Sequence, residues 1–265
     1  MNKRLYILFL ELLLIATIFA QGDVFQIAET QFKQRNYKEA IKSYQTVIKQ
    51  SVNYEPAWFG LQNVYIQTGD LESARKLKNI SLSDRLQWGQ IRVLFYLNQF
   101  DTIPQLIFEL TRIYPKSEFI NDALDLGIVL AQVKEDTANF KKYAHALFDY
   151  ETRDYDDGIN IFRELIVNSD VLAEYSYLLL SKLFVAKNEF NQAIGTLNEF
   201  SLKFQKSTLY PKARYELGLI YLESIKDTIM AKDVFEDLIS DFPESPESYF
   251  ARSRLSLMGP ENKSK

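Results

Sequence analysis

The chain has 265 residues, of which 47% are hydrophobic, 25% charged and 14% aromatic, so it can bury a substantial core. It contains no cysteine and one histidine, which excludes disulfides, thiolate nucleophiles, cysteine-ligated zinc and sites built on paired imidazoles. The net charge of −4 disfavours a nucleic-acid partner, and the low number of glycines and prolines disfavours a β-protein rich in tight turns. Long helices are therefore expected.

Residues 1–20 have the layout of a secretory signal peptide. Lys3 and Arg4 form a basic start, and an apolar run follows and ends at Ala20. The run is shorter than the roughly 20 residues that a membrane-spanning helix needs, and Glu11 lies within it. We expect cleavage after Ala20 and a periplasmic or secreted protein. An uncleaved segment that tethers the chain to a membrane and a buried first helix are the alternatives.

A short phrase recurs along the rest of the chain at intervals of about 34 residues. It ends at Ala40 in the first copy and at Ala74 in the second, which are 34 positions apart. The copies are residues 36–41, 69–74, 99–103, 154–159, 188–194 and 227–231. A small residue ends most copies, because two helices that cross closely would be overpacked by a larger side chain.

Each copy separates two stretches whose apolar residues have helical spacing. Trp58, Leu61 and Tyr65 recur at i, i+3 and i+7, Gly69 interrupts the pattern, and Ala74 opens the next stripe. Two antiparallel helices per copy are predicted. Neither helix can bury its apolar face alone, so neighbouring pairs must stack.

This pattern resembles the tetratricopeptide repeat family, whose units carry Trp, Leu-Gly, Tyr, Gly-Asp-Tyr, Ala, Phe and Pro at set offsets. The matching residues are Trp58, Leu61, Tyr65, Gly69, Asp70 and Ala74 in one copy, and Leu217, Gly218, Tyr221, Ala231, Phe235 and Pro243 in the last. Gln62 departs from the pattern, which has a small residue there. The resemblance implies an all-α fold, an α-solenoid in which antiparallel helix pairs form a right-handed superhelix.

Three links between units share a motif, in which proline ends a helix in two of them and serine caps the next helix in all three. The links are residues 114–117, 204–207 and 242–245. The motif is similar to that of bacterial envelope proteins such as the Tol-Pal coordinator and the lipoprotein subunit of the outer-membrane assembly machine. The lipoprotein cysteine of the latter is absent here.

Residues 118–133 are predicted to form a helix without a partner of its own. We expect this odd helix to divide one continuous solenoid into two arrays of helix pairs, residues 21–116 and residues 117–259. Residues 260–265 are polar and are expected to form a frayed tail.

The sequence offers no convincing site for chemistry. Asp154, Asp156 and Asp157 lack the glycine and glutamate that a calcium-binding loop needs at its sixth and twelfth positions, so they indicate a helix N-terminus. His145 has no second ligand nearby and is assigned to packing or to the surface. Glycine-rich phosphate loops and nucleophile elbows are missing from the sequence. We expect no enzyme activity, no metal and no cofactor.

Recognition on the concave face of the solenoid is the remaining function, because the first helix of every pair lines that face. The residues predicted to bind a partner there are Phe59, Asn63, Gln67, Trp88, Arg92, Tyr96, Tyr143, Tyr150 and Lys182. Ile66, Phe95, Leu147 and Lys212 are expected to flank them. Aromatic and arginine side chains dominate binding hot spots. Burial in the core is the alternative assignment for each of these residues.

We therefore predict a non-enzymatic scaffold, exported to the bacterial envelope, that binds a protein or peptide segment. The partner is expected to belong to an envelope complex, and the protein itself is expected to associate peripherally with a membrane. A chaperone carboxylate clamp is disfavoured, because Phe25 and Phe59 stand where the clamp lysines would be. The alternatives are a permanent structural subunit with an idle groove and an enzyme whose carboxylates converge only in the fold.

Overall fold

The computed structural model of the protein describes residues 24–52, 54–77, 83–133 and 136–258. Within those ranges every regular element is helical and no strand is present, which confirms the all-α class. None of the described helices is both long enough and apolar enough to cross a membrane. The predicted signal peptide, residues 1–20, and the predicted tail, residues 260–265, lie outside the described residues.

The chain divides into two compact units, the first ending at Ala131 and the second beginning at Gln132. The helices of unit 1 are α1 (24–33), α2 (Tyr37–Gln50), α3 (Glu55–Gln67), α4 (Leu71–Lys76), α5 (Asp84–Tyr96), α6 (Ile103–Ile113) and α7 (Ile120–Gln132, whose last residue opens unit 2). A 3-10 turn, Phe100–Thr102, precedes α6. Short turns join α1 to α2, α3 to α4 and α5 to α6, so these helices form antiparallel pairs.

Unit 2 has the same organisation. Its helices are α8 (Thr137–Thr152), α9 (Tyr155–Asn168), α10 (Leu172–Ala186), α11 (Phe190–Lys203), α12 (Tyr210–Leu219), α13 (Thr228–Asp241) and α14 (Pro246–Met258). A π-helical segment, Ile220–Ile225, continues α12 without a break. The pairs are α8 with α9, α10 with α11 and α12 with α13, and α14 packs on α12 and α13. Each unit is thus an array of helix pairs, as the predicted α-solenoid class requires.

The turn inside each pair has a common geometry. Each contains one residue with a left-handed backbone conformation, and these residues are Arg35, Gly69, Asn98, Arg153, Asn188 and Lys226. After α3, the Gly69 amide donates to the Ile66 carbonyl and the Asp70 amide to the Tyr65 carbonyl. This is a Schellman cap, which ends a helix by satisfying its last carbonyls. The recurring sequence phrase is therefore the cap of the first helix followed by the start of the second.

The small residues of the phrase lie in the core, where the paired helices cross. Ala40, Ala74, Ala193 and Ala231 are fully buried, and Gly158 is buried as well. Because these side chains are small, the backbones of the two helices approach closely at this point.

Helix α7 belongs to the first compact unit, whereas the sequence placed the start of the second array at residue 117. Ala123 and Val129 of α7 are buried. Just before α7, the ring of Phe119 stacks on Trp88 of α5, with centroids 6.3 Å apart. The first compact unit, which ends at Ala131, contains these residues.

Candidate partner-binding face

Six of the predicted binding residues lie on α3 and α5, the neighbouring first helices of unit 1. All six are half-buried: Phe59, Asn63, Gln67, Trp88, Arg92 and Tyr96. Arg92 Nη1 donates a hydrogen bond to Asn63 Oδ1 at 3.4 Å. Gln67 Oε1 accepts one from the Tyr37 hydroxyl at 3.3 Å. The first of these hydrogen bonds joins α3 to α5, and the second joins α3 to Tyr37 at the start of α2.

The aromatic members in unit 1 also contribute to packing. The indole of Trp88 stacks on Phe119 with an interplanar angle of 15°. The guanidinium carbon of Arg85 lies 5.8 Å from the centre of the Phe59 ring, which is within cation–π range. Substitution of Trp88 would therefore disturb the packing of unit 1 as well as its surface.

Tyr143 belongs to the core, which corrects its assignment to partner binding. It is 6% exposed, and its ring packs edge-on against Phe162 of α9 with centroids 5.9 Å apart. It also stacks on Phe140, one turn earlier in α8. Ile66 and Phe95, which were expected to flank the face, are buried too. These side chains pack inside the helix array, so a partner cannot reach them.

In unit 2 the first helices α8, α10 and α12 form an open cleft, here called the unit 2 cleft, with a volume of about 220 Å³. Its main lining residues are Tyr150, Lys182, Val185, Glu216, Leu219 and Glu223. Two of the predicted binding residues, Tyr150 on α8 and Lys182 on α10, therefore line one cavity. Because three successive first helices contribute, the cleft runs across the repeats rather than along one helix.

Ion pairs tie the helices of the cleft together. Lys182 Nζ lies 3.4 Å from Glu216 Oε1, which links α10 to α12. Glu223 Oε1 lies 3.1 Å from Arg254 Nη2, which links the π-helical segment to α14. Both pairs are partly exposed, so each adds less than about 1 kcal/mol to stability. Their charges alternate, and a ligand would therefore meet both signs on a surface that also carries Val185 and Leu219.

Tyr150 is the exposed aromatic residue of the cleft. It is 41% exposed, and its ring lies 6.2 Å from that of Tyr155 at the start of α9. Burial, and then the neighbouring Tyr155, Glu151 and Glu216, raise the pKa of the Tyr150 hydroxyl. The hydroxyl is therefore neutral at physiological pH and can donate a hydrogen bond to a carbonyl or carboxylate of a partner.

The sequence interpretation missed the contribution of α12 to this cleft. It named only Lys212 there, and that residue is half-buried and does not line the cleft. A signal was available, because aligning Leu217 with Leu61 places Leu219 opposite Asn63 and Glu223 opposite Gln67. Extending the alignment of the first helices to the last copy would have identified these two residues.

The acidic cluster and the lone histidine take part in ion pairs between side chains. Asp156, in the first turn of α9, pairs with Lys187, the residue just after α10, at 2.5 Å. His145 is largely exposed on α8, and its Nε2 lies 3.4 Å from Asp149 Oδ1. Over the residues that the structure describes, no three carboxylate or imidazole groups converge on a position suited to a metal ion.

Two segments of the chain match the family model described as tetratricopeptide repeat, residues 25–79 and residues 212–245. These segments are tetratricopeptide repeats. The first contains the pairs α1–α2 and α3–α4, and the second contains α12 with α13. Tetratricopeptide repeats are typical scaffolds for protein–protein interaction. A comparison of the whole chain with curated proteins found no match.

Several solved structures of tetratricopeptide repeat proteins are similar at low identity. The repeat domain of P58(IPK) is 13% identical over 90% of this chain and 66% of that chain, with a TM-score of 0.36. A repeat protein from Parabacteroides merdae is 14% identical over 90% and 99%, with a TM-score of 0.39. PilW, a type IV pilus biogenesis factor, is 11% identical over 87% and 97%, with a TM-score of 0.37. Values this low carry no information about a partner.

Proposed function

We propose that the chain is a non-enzymatic scaffold that binds a protein or peptide segment in the unit 2 cleft. The observation that carries this proposal is the convergence of Tyr150, Lys182 and Glu216 from three successive first helices on one open cavity. Its support is the presence of tetratricopeptide repeats, whose first helices form binding surfaces in this architecture.

The lining residues fit a segment that offers both polar and apolar groups. The Tyr150 hydroxyl and the Lys182 ammonium can donate to backbone carbonyls, and Glu216 can accept from backbone amides. Leu219 and Val185 supply apolar surface between these groups. A segment lying across α8, α10 and α12 would meet all five residues, whereas a small ligand would meet only some of them.

Site-specific photocrosslinking in the native host tests the location of binding. A photoreactive amino acid is placed at position 150 or 182, and at Val167 or Leu202 as controls, because these two residues are highly exposed on the second helices α9 and α11. We expect one discrete crosslinked product from positions 150 and 182 and none from the controls. Equal products from all four positions would contradict the proposal.

The partner identified in this way permits a quantitative test. Tyr150→Ala is expected to weaken its binding at least fivefold, or about 1 kcal/mol, since exposed tyrosines in clefts are frequent hot spots. Helicity measured by circular dichroism is expected to be unchanged, because Tyr150 is 41% exposed and lines an open cleft. Val167→Ala is the matched control and should leave affinity unchanged. Loss of helicity in Tyr150→Ala would instead assign the residue a structural role.

We also propose that the chain is exported to a bacterial envelope. The support is the layout of residues 1–20 and the link motif shared with envelope repeat proteins. Fractionation of the host after expression of the full chain provides the test. We expect a periplasmic product that begins at Gln21, as read by N-terminal sequencing. A cytoplasmic product that retains residues 1–20 would overturn this proposal.

A permanent structural subunit is the second candidate, favoured by α14. This helix exposes Tyr249, Phe250 and Leu257, which are 69%, 49% and 78% accessible. Positions 249, 250 and 257 share one side of a helix, so they form an apolar strip of the kind that marks an interface. Size-exclusion chromatography of native extracts separates the candidates. A permanent subunit should elute only within a larger assembly, whereas a scaffold with an exchangeable partner should also appear alone.

A further inference from the structure

Asp149, in the last turn of α8, is a buried carboxylate that few neighbouring groups stabilise. It is 5% exposed, and within the described part of the chain its Oδ2 atom has no hydrogen-bond partner. Its Oδ1 atom faces only His145 Nε2, at 3.4 Å, and that imidazole is mostly in solvent. A buried carboxylate without hydrogen bonds is destabilised in its charged form.

The charged groups near Asp149 do not make up for the hydrogen bonds that its carboxylate lacks. Asp154, in the turn after α8, and Asp157, in the first turn of α9, both add negative charge. On the side of α10, Gly158 lies between Asp149 and the apolar Leu183. His145 is the group that favours the carboxylate, and it does so from the same helix.

The backbone holds Asp149 in this position. Its carbonyl accepts hydrogen bonds from the amides of Arg153 and Asp154, which cap the end of α8. Arg153 has a left-handed backbone conformation, with φ of 69°. These hydrogen bonds fix the backbone of Asp149 in the last turn of α8, where its carboxyl group is buried. The next residue, Tyr150, lines the unit 2 cleft.

We propose that Asp149 makes the end of α8 sensitive to pH, so that protonation of its carboxyl stabilises the α8–α9 turn and the helical turn that presents Tyr150 to the cleft. This inference does not depend on a partner binding in the cleft. Failure of the crosslinking experiment would leave it intact, since its tests use the isolated full chain.

The opposite end of α8 provides an internal reference. Asp136 Oδ2 accepts hydrogen bonds from Asn139 Nδ2 at 3.1 Å and from Ser169 Oγ at 2.9 Å. Burial alone would raise the pKa of Asp136, but these hydrogen bonds and the charge of Lys142 lower it below its usual value. One helix thus carries a satisfied aspartate at its start and an unsatisfied one at its end.

The direction of the effect follows from proton linkage. Burial, opposed by His145 and reinforced by Asp154 and Asp157, raises the pKa of Asp149 to about 6 in the folded protein. A raised folded pKa means that the folded state binds the proton more tightly than the unfolded state. The stabilisation is complete below the unfolded value of about 3.9 and is lost as the pH rises through about 6. Asp136 has the opposite sign, because its stabilisation is lost as the pH falls.

Carbon-13 NMR titration of the side-chain carboxyls in the full wild-type chain tests the proposal without any substitution. We expect Asp149 to titrate with a midpoint near 6 and Asp136 to titrate below 3.8. A midpoint for Asp149 at or below that of an exposed aspartate would overturn the proposal.

Asp149→Asn adds a stability readout, because the amide imitates the neutral carboxyl. We expect the melting temperature of unit 2 to rise by about 5 °C at about pH 7.5, and the gain to vanish near pH 4. Hydrogen exchange at the amides of Arg153 and Asp154 should slow in the variant at neutral pH. Asp136→Asn is the matched control and should lower the melting temperature. Destabilisation by both variants at neutral pH would contradict the proposal.

Discussion

Gly89 of α5 in unit 1 faces the end of the Gln62 side chain from α3, whereas Gly218 of α12 in unit 2 faces the ring of Phe235 from α13. A Cβ atom added at either glycine would overlap that neighbour. Both units therefore use a glycine to admit a large side chain between packed helices. The two contacts differ in what fills the space, since one side chain ends in an amide and the other is a phenyl ring.

This difference changes what the close contact contributes to stability. Gln62 is fully buried, and neither Oε1 nor Nε2 has a hydrogen-bond partner among the residues described. An unsatisfied buried amide costs about 1–3 kcal/mol. Phe235 is also fully buried but has no polar atom to satisfy, so its burial is favourable throughout. The same steric arrangement is therefore stabilising at Gly218 and partly offset at Gly89, whereas Gly60 of unit 1 faces the ring of Tyr44.

The largest expected effect comes from Gly218→Ala, which should destabilise unit 2 by about 3 kcal/mol. The added methyl would overlap the Phe235 ring, which is fully buried and cannot move without disturbing Tyr215 beside it. Chemical denaturation followed by hydrogen exchange in α12 and α13 measures the loss. Both tryptophans, Trp58 and Trp88, lie in unit 1, so tryptophan fluorescence reports that unit and should not change.

A second substitution shows whether this loss comes from the overlap. In a Phe235→Leu background the smaller side chain leaves room for the methyl, so Gly218→Ala should cost much less there. If Gly218→Ala lowered stability equally in both backgrounds, overlap with the Phe235 ring would not be the cause. The comparison of the two glycine contacts would then lose its steric basis.

The helix pairs could be predicted well from the sequence, because the residue patterns that indicate them span only one helix or one turn. The alanines of the recurring phrase and the stripe of Trp58, Leu61 and Tyr65 depend on spacing along one helix or across one turn. The fate of individual side chains was less predictable. Tyr143 and Tyr150 lie two turns apart on α8, yet α9 covers the first and leaves the second in the cleft. Such differences depend on the neighbouring helix, which local spacing does not reveal.

Gln62 is a core residue whose contact with a neighbouring helix local spacing likewise does not reveal. The sequence shows that it departs from the repeat pattern, but not that Gly89, 27 positions later, provides the space that it occupies. The unsatisfied carboxylate of Asp149 was equally hidden, since its environment combines the end of α8 with the start of α9. Contacts between separate helices determine the environments of both Gln62 and Asp149.

The intermediate effect is expected from Gln62→Met, which should stabilise unit 1 by about 1–2 kcal/mol. Methionine has a similar length and shape but carries no amide that requires partners, so the desolvation cost is removed. Tryptophan fluorescence during denaturation measures the gain, because Trp58 and Trp88 both report on unit 1.

Gln87 is the matched control for this substitution. It is also buried, but its Nε2 donates a hydrogen bond to the Leu106 carbonyl at 3.0 Å. Gln87→Met would remove that hydrogen bond and should therefore give a smaller gain or a loss. If Gln62→Met were the more harmful of the two, the Gln62 amide would have to contribute favourably to stability, and the contacts at Gly89 and Gly218 would not differ in the way described.

The smallest expected effect is a gain of about 0.5–1 kcal/mol from Gly195→Ala in α11 of unit 2. An added Cβ at Gly195 meets no atom within 4 Å, so the substitution introduces no overlap. Alanine loses less backbone entropy than glycine when a helix forms, which accounts for the gain. Thermal unfolding followed by circular dichroism measures it. Gly195 and Gly218 lie in the same unit and in regular helices, and only Gly218 has a ring against it. Opposite signs for the two substitutions would isolate the close contact as the cause of the loss at Gly218, and a loss at both would assign that cost to the helix backbone instead.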